Sequence, residues 1–93
     1  MIIITIYQPV ATALGYEKPG GLKLKYSSIS RSNIHALLES NREYGAKLIE
    51  LAKENPPKIY FTTAINGRVE RSGLLASVMD GDEVSILPVY SGG

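Results

Sequence analysis

The sequence predicts an α+β domain in which a mixed β-sheet curls around one main helix, with a second short helix beside it. Three observations predict it. Strand-length apolar runs open and close the chain, at residues 2–7 and 83–89. Apolar residues at helical spacing fill the middle, from Ile34 to Ala52. Two turn pairs, Asn66-Gly67 and Asp80-Gly81, punctuate the second half where strands must reverse or begin.

Taken in order, Ile2-Ile3-Ile4-Thr5-Ile6-Tyr7 is β-branched almost throughout. Thr5 and Tyr7 share one face, so Ile2, Ile4 and Ile6 point inward. Pro9 ends this strand. Residues 10–15 make one helical turn closed by Gly15, and Lys18-Pro19-Gly20-Gly21 is a turn cluster. Leu22, Leu24 and Tyr26 then alternate with Lys23, Lys25 and Ser27, the pattern of an antiparallel strand with one wet face. Ser30 or Ser32 is the expected N-cap of a helix over 31–44. Ile34, Leu37 and Leu38 form its apolar stripe. Asn41 interrupts the stripe, Gly45 reads as a helix C-cap, and Leu48, Leu51 and Ala52 carry a shorter helix over 46–54 that Pro56-Pro57 stops. Residues 59–65 are the next strand. Asn66-Gly67 turns it into a short return over 68–70, because both residues accept positive φ. Residues 71–79 connect, with Leu74, Leu75 and Val78 tucked beneath the sheet, and residues 83–89 close it.

Strand–strand–helix–strand–strand–strand is the order of the β-grasp, in which the first and last strands pair in parallel at the sheet's centre. The expected core is Ile2, Ile4, Ile6, Leu24, Leu37, Leu38, Phe61, Ile65, Val84 and Ile86. Residues 1–93 read as a single domain with a Gly-Gly tail over about 88–93.

Composition removes several classes of function. Ten basic and nine acidic side chains give a net charge of +1, which offers no electrostatic case for nucleic acid or an anionic membrane. There is no cysteine, hence no disulfide, thiol nucleophile or iron–sulfur cluster. Met1-Ile2-Ile3-Ile4 is too short for a signal or a span, so the cytoplasm is the expected location. His35 is the one histidine and reads as a solvated helix residue. Asp80, Asp82 and Glu83 lack the spacing of a calcium loop and read as a solvated turn. No glycine has phosphate-loop spacing. The chain is therefore expected to hold no metal and no cofactor of its own.

Chemistry concentrates at the tail. Pro88 has no N–H and is expected to end the ladder. Pro88, Val89, Tyr90 and Ser91 form a stalk, and Gly92 and Gly93 bring a carboxylate to the end of a backbone with no side chains. Such a tail enters a tunnel too narrow for any Cβ. Beside its root, Ile3, Tyr7, Tyr60, Ala64 and Leu87 are expected to share the outer face of the sheet. A face this apolar reads as a docking surface.

The stretch Asp80-Gly81-Asp82-Glu83-Val84, with Leu87-Pro88 and Ser91-Gly92-Gly93, resembles the C-terminus of the MoaD-like small subunits of molybdopterin synthase. It is similar, more loosely, to the thiamine sulfur carrier and to ubiquitin-like modifiers. Val89 and Tyr90 stand where the family often has a second proline and a valine. The resemblance covers the chain and implies a carrier with no autonomous active site. A ubiquitin-activating-type enzyme would use its own ATP to adenylate Gly93, and sulfur transfer would then give a thiocarboxylate. The large subunit of molybdopterin synthase would accept the tail and pass the sulfur to a pterin precursor, building the ligand of molybdenum or tungsten. Pro88, Val89, Tyr90, Ser91 and Gly92 would bind the partner's tunnel. Lysine conjugation through Gly93, a thiamine-type carrier and a plain β-grasp binding module remain alternatives.

Overall fold

A computed structural model describes residues 1–27 and 31–89. The main sheet contains β1 (Ile2–Ile6), β2 (Leu22–Tyr26), β4 (Phe61–Ile65), β5 (Arg68–Val69) and β7 (Glu83–Pro88), in the order β2-β1-β7-β4-β5. A two-stranded ribbon pairs β3 (Ser32–Asn33) with β6 (Ser77–Val78). Among the described residues, three α-helices, α1 (Val10–Ala13), α2 (Ile34–Ser40) and α3 (Gly45–Lys53), and a 3-10 turn (Gly73–Leu75) complete the regular structure. The first and last strands lie side by side and parallel, Ile4 against Val84 and Ile6 against Ile86. β2 and β4 flank them antiparallel, Leu24 opposite Ile4 and Thr63 opposite Ile86. This is the mixed sheet of a β-grasp.

Register sorts the side chains onto two faces, because successive residues of a strand alternate. The inner face carries Ile2, Ile4, Ile6, Val84 and Ile86, all sealed from solvent, with Leu22 and Leu24 beside them. Ile34, Leu37 and Leu38 of α2 and Leu48, Ile49 and Leu51 of α3 complete the core. Ala52 turns outward, and Ile49 fills the position expected of it.

Several expectations need correction. Phe61 and Ile65 point inward but are only half-buried, since β5 offers two residues of cover on that side. Thr63, between them, is the buried member of β4. Leu75 is exposed, while Val78 is buried and Leu74 half-buried. α2 is shorter than the helix expected over 31–44. Ser32 is not a cap but part of β3, and the Asn33 side chain caps α2 by accepting the Ala36 N–H at 2.7 Å. Ser30 lies outside the described residues.

Gly45 is not a C-cap. It is the first residue of α3, and it is glycine for space: a Cβ there would overlap the Leu38 carbonyl oxygen and lie 2.9 Å from Leu38 Cα. Asn41 explains the break in the stripe. It ends α2, and its Oδ1 accepts the N–H groups of Tyr44 at 2.9 Å and Gly45 at 3.2 Å, so one side chain closes one helix and starts the next.

Candidate functional site: the outer sheet face and the tail root

Pro88 does not end the pairing. It belongs to β7 opposite Phe61, and Val89 N–H donates to the Tyr60 carbonyl at 2.9 Å. Strand N–H groups alternate between neighbours. Ile86 O accepts from Tyr7 N–H on the β1 side, and Val89 N–H donates on the β4 side. The Pro88 nitrogen therefore points toward β1, which has already turned away at Gln8-Pro9, and no ladder bond is lost. Pro88 and Val89 are part of the sheet rather than of a stalk. Tyr90, Ser91, Gly92 and Gly93 lie outside the described residues.

The outer face can be read row by row from the register. At the end remote from the tail, Ile3 sits between Lys25 and Glu83. The next row is Lys23, Thr5, Ser85, Ala64 and Val69, with small side chains at its centre. Toward the tail, Tyr7 lies one step beyond the Ile6–Ile86 pair, and Leu87 lies opposite Thr62. Val89 and Tyr60 form the last row. Tyr7, Tyr60 and Val89 are exposed, and Leu87 is half-buried. These four make an apolar patch around the point where the chain leaves the sheet.

The five residues expected on this face are thus divided. Tyr7, Tyr60 and Leu87 are together at the tail root. Ile3 is on the same face but is separated from them by the row containing Thr5, and two charged neighbours flank it. Ala64 is on the face but buried at 5% exposure, because its single methyl sits low between Ser85 and Val69. It offers a partner almost no surface. Val69 was missed, and Val89, expected in the stalk, belongs to this face instead. Val69 was legible: a two-residue Asn66-Gly67 turn sets Ile65 opposite Arg68, which places Val69 beside Ala64.

The acidic turn is structural. Asp82 accepts the Met79 N–H at 2.9 Å and the Asn66 side-chain amide at 3.0 Å, while Asn66 Oδ1 accepts the Glu83 N–H at 2.9 Å. Asp80 pairs with the α-amino group of Met1. Two hairpin ends are thereby tied together at the start of β7, opposite the tail. His35 is half-exposed and faces Glu39 one helical turn away at 3.9 Å. Among the described residues no cluster of three His, Cys, Asp or Glu side chains has metal-holding geometry. The Tyr26 phenol is pushed above the usual tyrosine range by burial, which favours its neutral form. No helix among the described residues is long and apolar enough to cross a membrane.

No family model and no curated protein matches the sequence. Solved structures do match its shape. A chain of the BexX/CysO complex from Amycolatopsis orientalis is 26% identical with a TM-score of 0.63, and the match covers 100% of both chains. SAMP1 from Haloferax volcanii is 16% identical with a TM-score of 0.59, over 99% of this chain and 98% of that one. The complex of subunits 1 and 2 of the molybdopterin-converting factor from Helicobacter pylori contributes a chain 17% identical with a TM-score of 0.51, over 99% and 97%. In overall shape the chain has the ubiquitin-like β-grasp fold, the α+β architecture shared with these solved structures.

Proposed function

We propose that this chain is a sulfur carrier, and more narrowly the small subunit of a molybdopterin synthase, working through the carboxylate of Gly93. The observation that carries the reading is the placement of β7. A central strand, held on both sides, delivers the chain out of the sheet at Val89, within an apolar patch, and Tyr90-Ser91-Gly92-Gly93 follows in sequence. The likeness to a chain of a two-protein complex supports a protein partner. Gly93 carries the group, Gly92 admits the tail to a narrow channel, and Tyr7, Tyr60, Leu87 and Val89 dock.

A carboxylate must be activated before it accepts a nucleophile. In the proposed sequence a Gly93 oxygen attacks the α-phosphorus of ATP on an activating enzyme and pyrophosphate leaves, giving a mixed anhydride. Sulfide-level sulfur from a donor then attacks the Gly93 carbonyl carbon and AMP leaves; the thiocarboxylate sulfur displaces an oxygen substituent of a pterin precursor on the large subunit, and water cleaves the resulting thioester to return the Gly93 carboxylate. The chain's own residues take no part in these steps beyond docking and presenting the tail, so it has no turnover alone.

Mass spectrometry of the protein isolated from its native cells tests this reading. The expected result is a C-terminus in which one sulfur replaces one oxygen; lysine conjugates through Gly93 would indicate a protein modifier instead, and neither product would leave a binding module. Gly92→Phe should fold normally, since it lies beyond the last strand, yet abolish ATP–pyrophosphate exchange with the cognate activating enzyme. Undiminished exchange in that variant and in a chain lacking Gly93 would remove the tail from the chemistry.

A further inference from the structure

β4 is paired along its whole length on the β7 side, but only in part on the β5 side. Its even-numbered residues turn their backbone groups toward β7, in line with the bond from Val89 N–H to the Tyr60 carbonyl, and its odd-numbered residues turn theirs toward β5. On that second side the hairpin places Arg68 opposite Ile65 and adds one more bond, from the Glu70 N–H to the Thr63 carbonyl at 2.8 Å. The chain then leaves. The Glu70 carbonyl, which would have met the Thr63 N–H, accepts from the Gly73 N–H at 3.1 Å instead. Among the described residues, the Thr63 N–H and both backbone groups of Phe61 have no hydrogen-bond partner on this edge. Thr63 is only 2% exposed, and a buried N–H without a partner is rare in folded chains. Beside this edge lies a cleft of about 390 Å³, to which Leu51, Ile59, Phe61 and Leu74 give apolar walls. That volume falls within the range of ligand sites, about 300–1,000 Å³. Glu54 stands in the same lining: Lys58 approaches its Oε2 at 3.7 Å, and its Oε1 is out of solvent with no hydrogen-bond partner among the described residues.

We propose that this cleft binds an extended peptide segment of another protein, added as a short strand parallel to β4 on the edge that β5 abandons. The direction follows from which groups are free. In a parallel pair, one residue donates its N–H to the carbonyl of a facing residue and accepts, on its own carbonyl, the N–H two residues further on. The Phe61 carbonyl and the Thr63 N–H are such a pair. An antiparallel strand would have to meet the Thr63 N–H from the place that Glu70 already occupies. Side chains on the added strand alternate. The bonded residue faces outward with Thr62, and the residue before it points inward with Phe61 and enters the cleft, where a leucine-sized apolar group fits. Two residues earlier the segment points inward again, beside Ile59, and a lysine there brings a donor to Glu54. Main-chain bonds supply affinity and the cleft supplies selectivity. The site lies on the opposite side of β4 from β7, so it does not depend on the role proposed for Gly93.

The test is an NMR titration of the isotope-labelled full chain with the blocked peptide acetyl-Lys-Val-Leu-Val-amide. Saturable binding in the millimolar range is expected, with the largest amide shifts at Phe61 and Thr63. Hydrogen exchange at the Thr63 amide should slow as its N–H gains a partner. Methylating the backbone nitrogen of the peptide's last valine removes the donor to the Phe61 carbonyl and should weaken binding about tenfold. Ala52→Tyr, at an exposed helical position in the cleft lining, should weaken it at least as much by filling the space, with resonances remote from the cleft unmoved. No saturable binding at millimolar peptide, shifts centred on the other edge of the sheet at Lys23 and Lys25, or undiminished binding of the methylated peptide would each overturn the proposal. None of these results bears on activation of the tail, which is read by pyrophosphate exchange.

Discussion

On the inner face of the sheet, Ile2, Ile4, Ile6, Val84 and Ile86 are sealed under α2 and α3; on the outer face, Tyr7, Tyr60, Val69 and Val89 stand in water. Both faces come from the same strands, offset by one residue. The inner one has a roof, built from Leu37, Leu38, Leu48 and Leu51. Among the described residues the outer one has none, and Tyr7, Tyr60, Leu87 and Val89 gather at the end where the chain departs. Burial on the inner side stabilises the fold. Exposure on the outer side contributes little to folding, and its clustering is the basis of the docking role proposed for this face. Each prediction below sets one face against the other.

The largest effect belongs to the roof. Leu38 is fully buried between the sheet and α3. Leu38→Ala should destabilise by about 2–5 kcal/mol in urea unfolding, the cost of lost transfer energy plus a cavity. A cost under about half a kilocalorie would mean that the side chain is not where the core needs it. Next comes the contact that lets the two helices meet. Gly45→Ala gains helix propensity of about 1 kcal/mol but drives a methyl into the Leu38 carbonyl. Net destabilisation of about 1–3 kcal/mol is expected from the forced backbone shift. An alanine variant more stable than wild type would show that the α2–α3 contact is looser than the geometry requires.

How much of this was legible in the sequence varied with the kind of signal. The inner face was readable because alternation in Ile2-Ile3-Ile4-Thr5-Ile6 and in Leu22–Tyr26 is a local property. The parallel pairing of β1 with β7 followed from element order. What failed was wherever a tertiary contact overrode a local habit. Gly45 looked like a cap because glycine usually ends helices, whereas here it marks a close approach to Leu38 that no neighbouring residue reveals. Asn41 looked like a defect in a stripe because its two hydrogen bonds reach forward into the next helix. Pro88 looked like a terminator because its lost N–H matters only on a side where a neighbour remains, and β1 has gone. The outer patch was half-legible. Parity put Tyr7, Tyr60 and Leu87 on one face, but Ile3 and Ala64 needed the register to show that one is fenced by charge and the other sunk.

The smallest expected change in stability is at Tyr60, and it separates the two faces most sharply. Its side chain is 58% exposed on the last row of the outer face, and its structural bond is made by the backbone carbonyl that accepts from Val89. Serine keeps that carbonyl and removes only the ring. Tyr60→Ser should therefore change the urea midpoint stability by no more than about 0.5 kcal/mol, far below the Leu38→Ala cost on the other side. Binding should respond in the opposite proportion. Exposed aromatics beside a docking point are the residues whose truncation costs an interface about 2 kcal/mol or more, so affinity for the cognate activating enzyme, measured by titration calorimetry, should fall roughly thirtyfold. A stability loss above about 1 kcal/mol would assign Tyr60 to the core. Unchanged affinity with unchanged stability would show that the apolar patch at the tail root is not where the partner sits, and the docking surface would have to be sought elsewhere on the sheet.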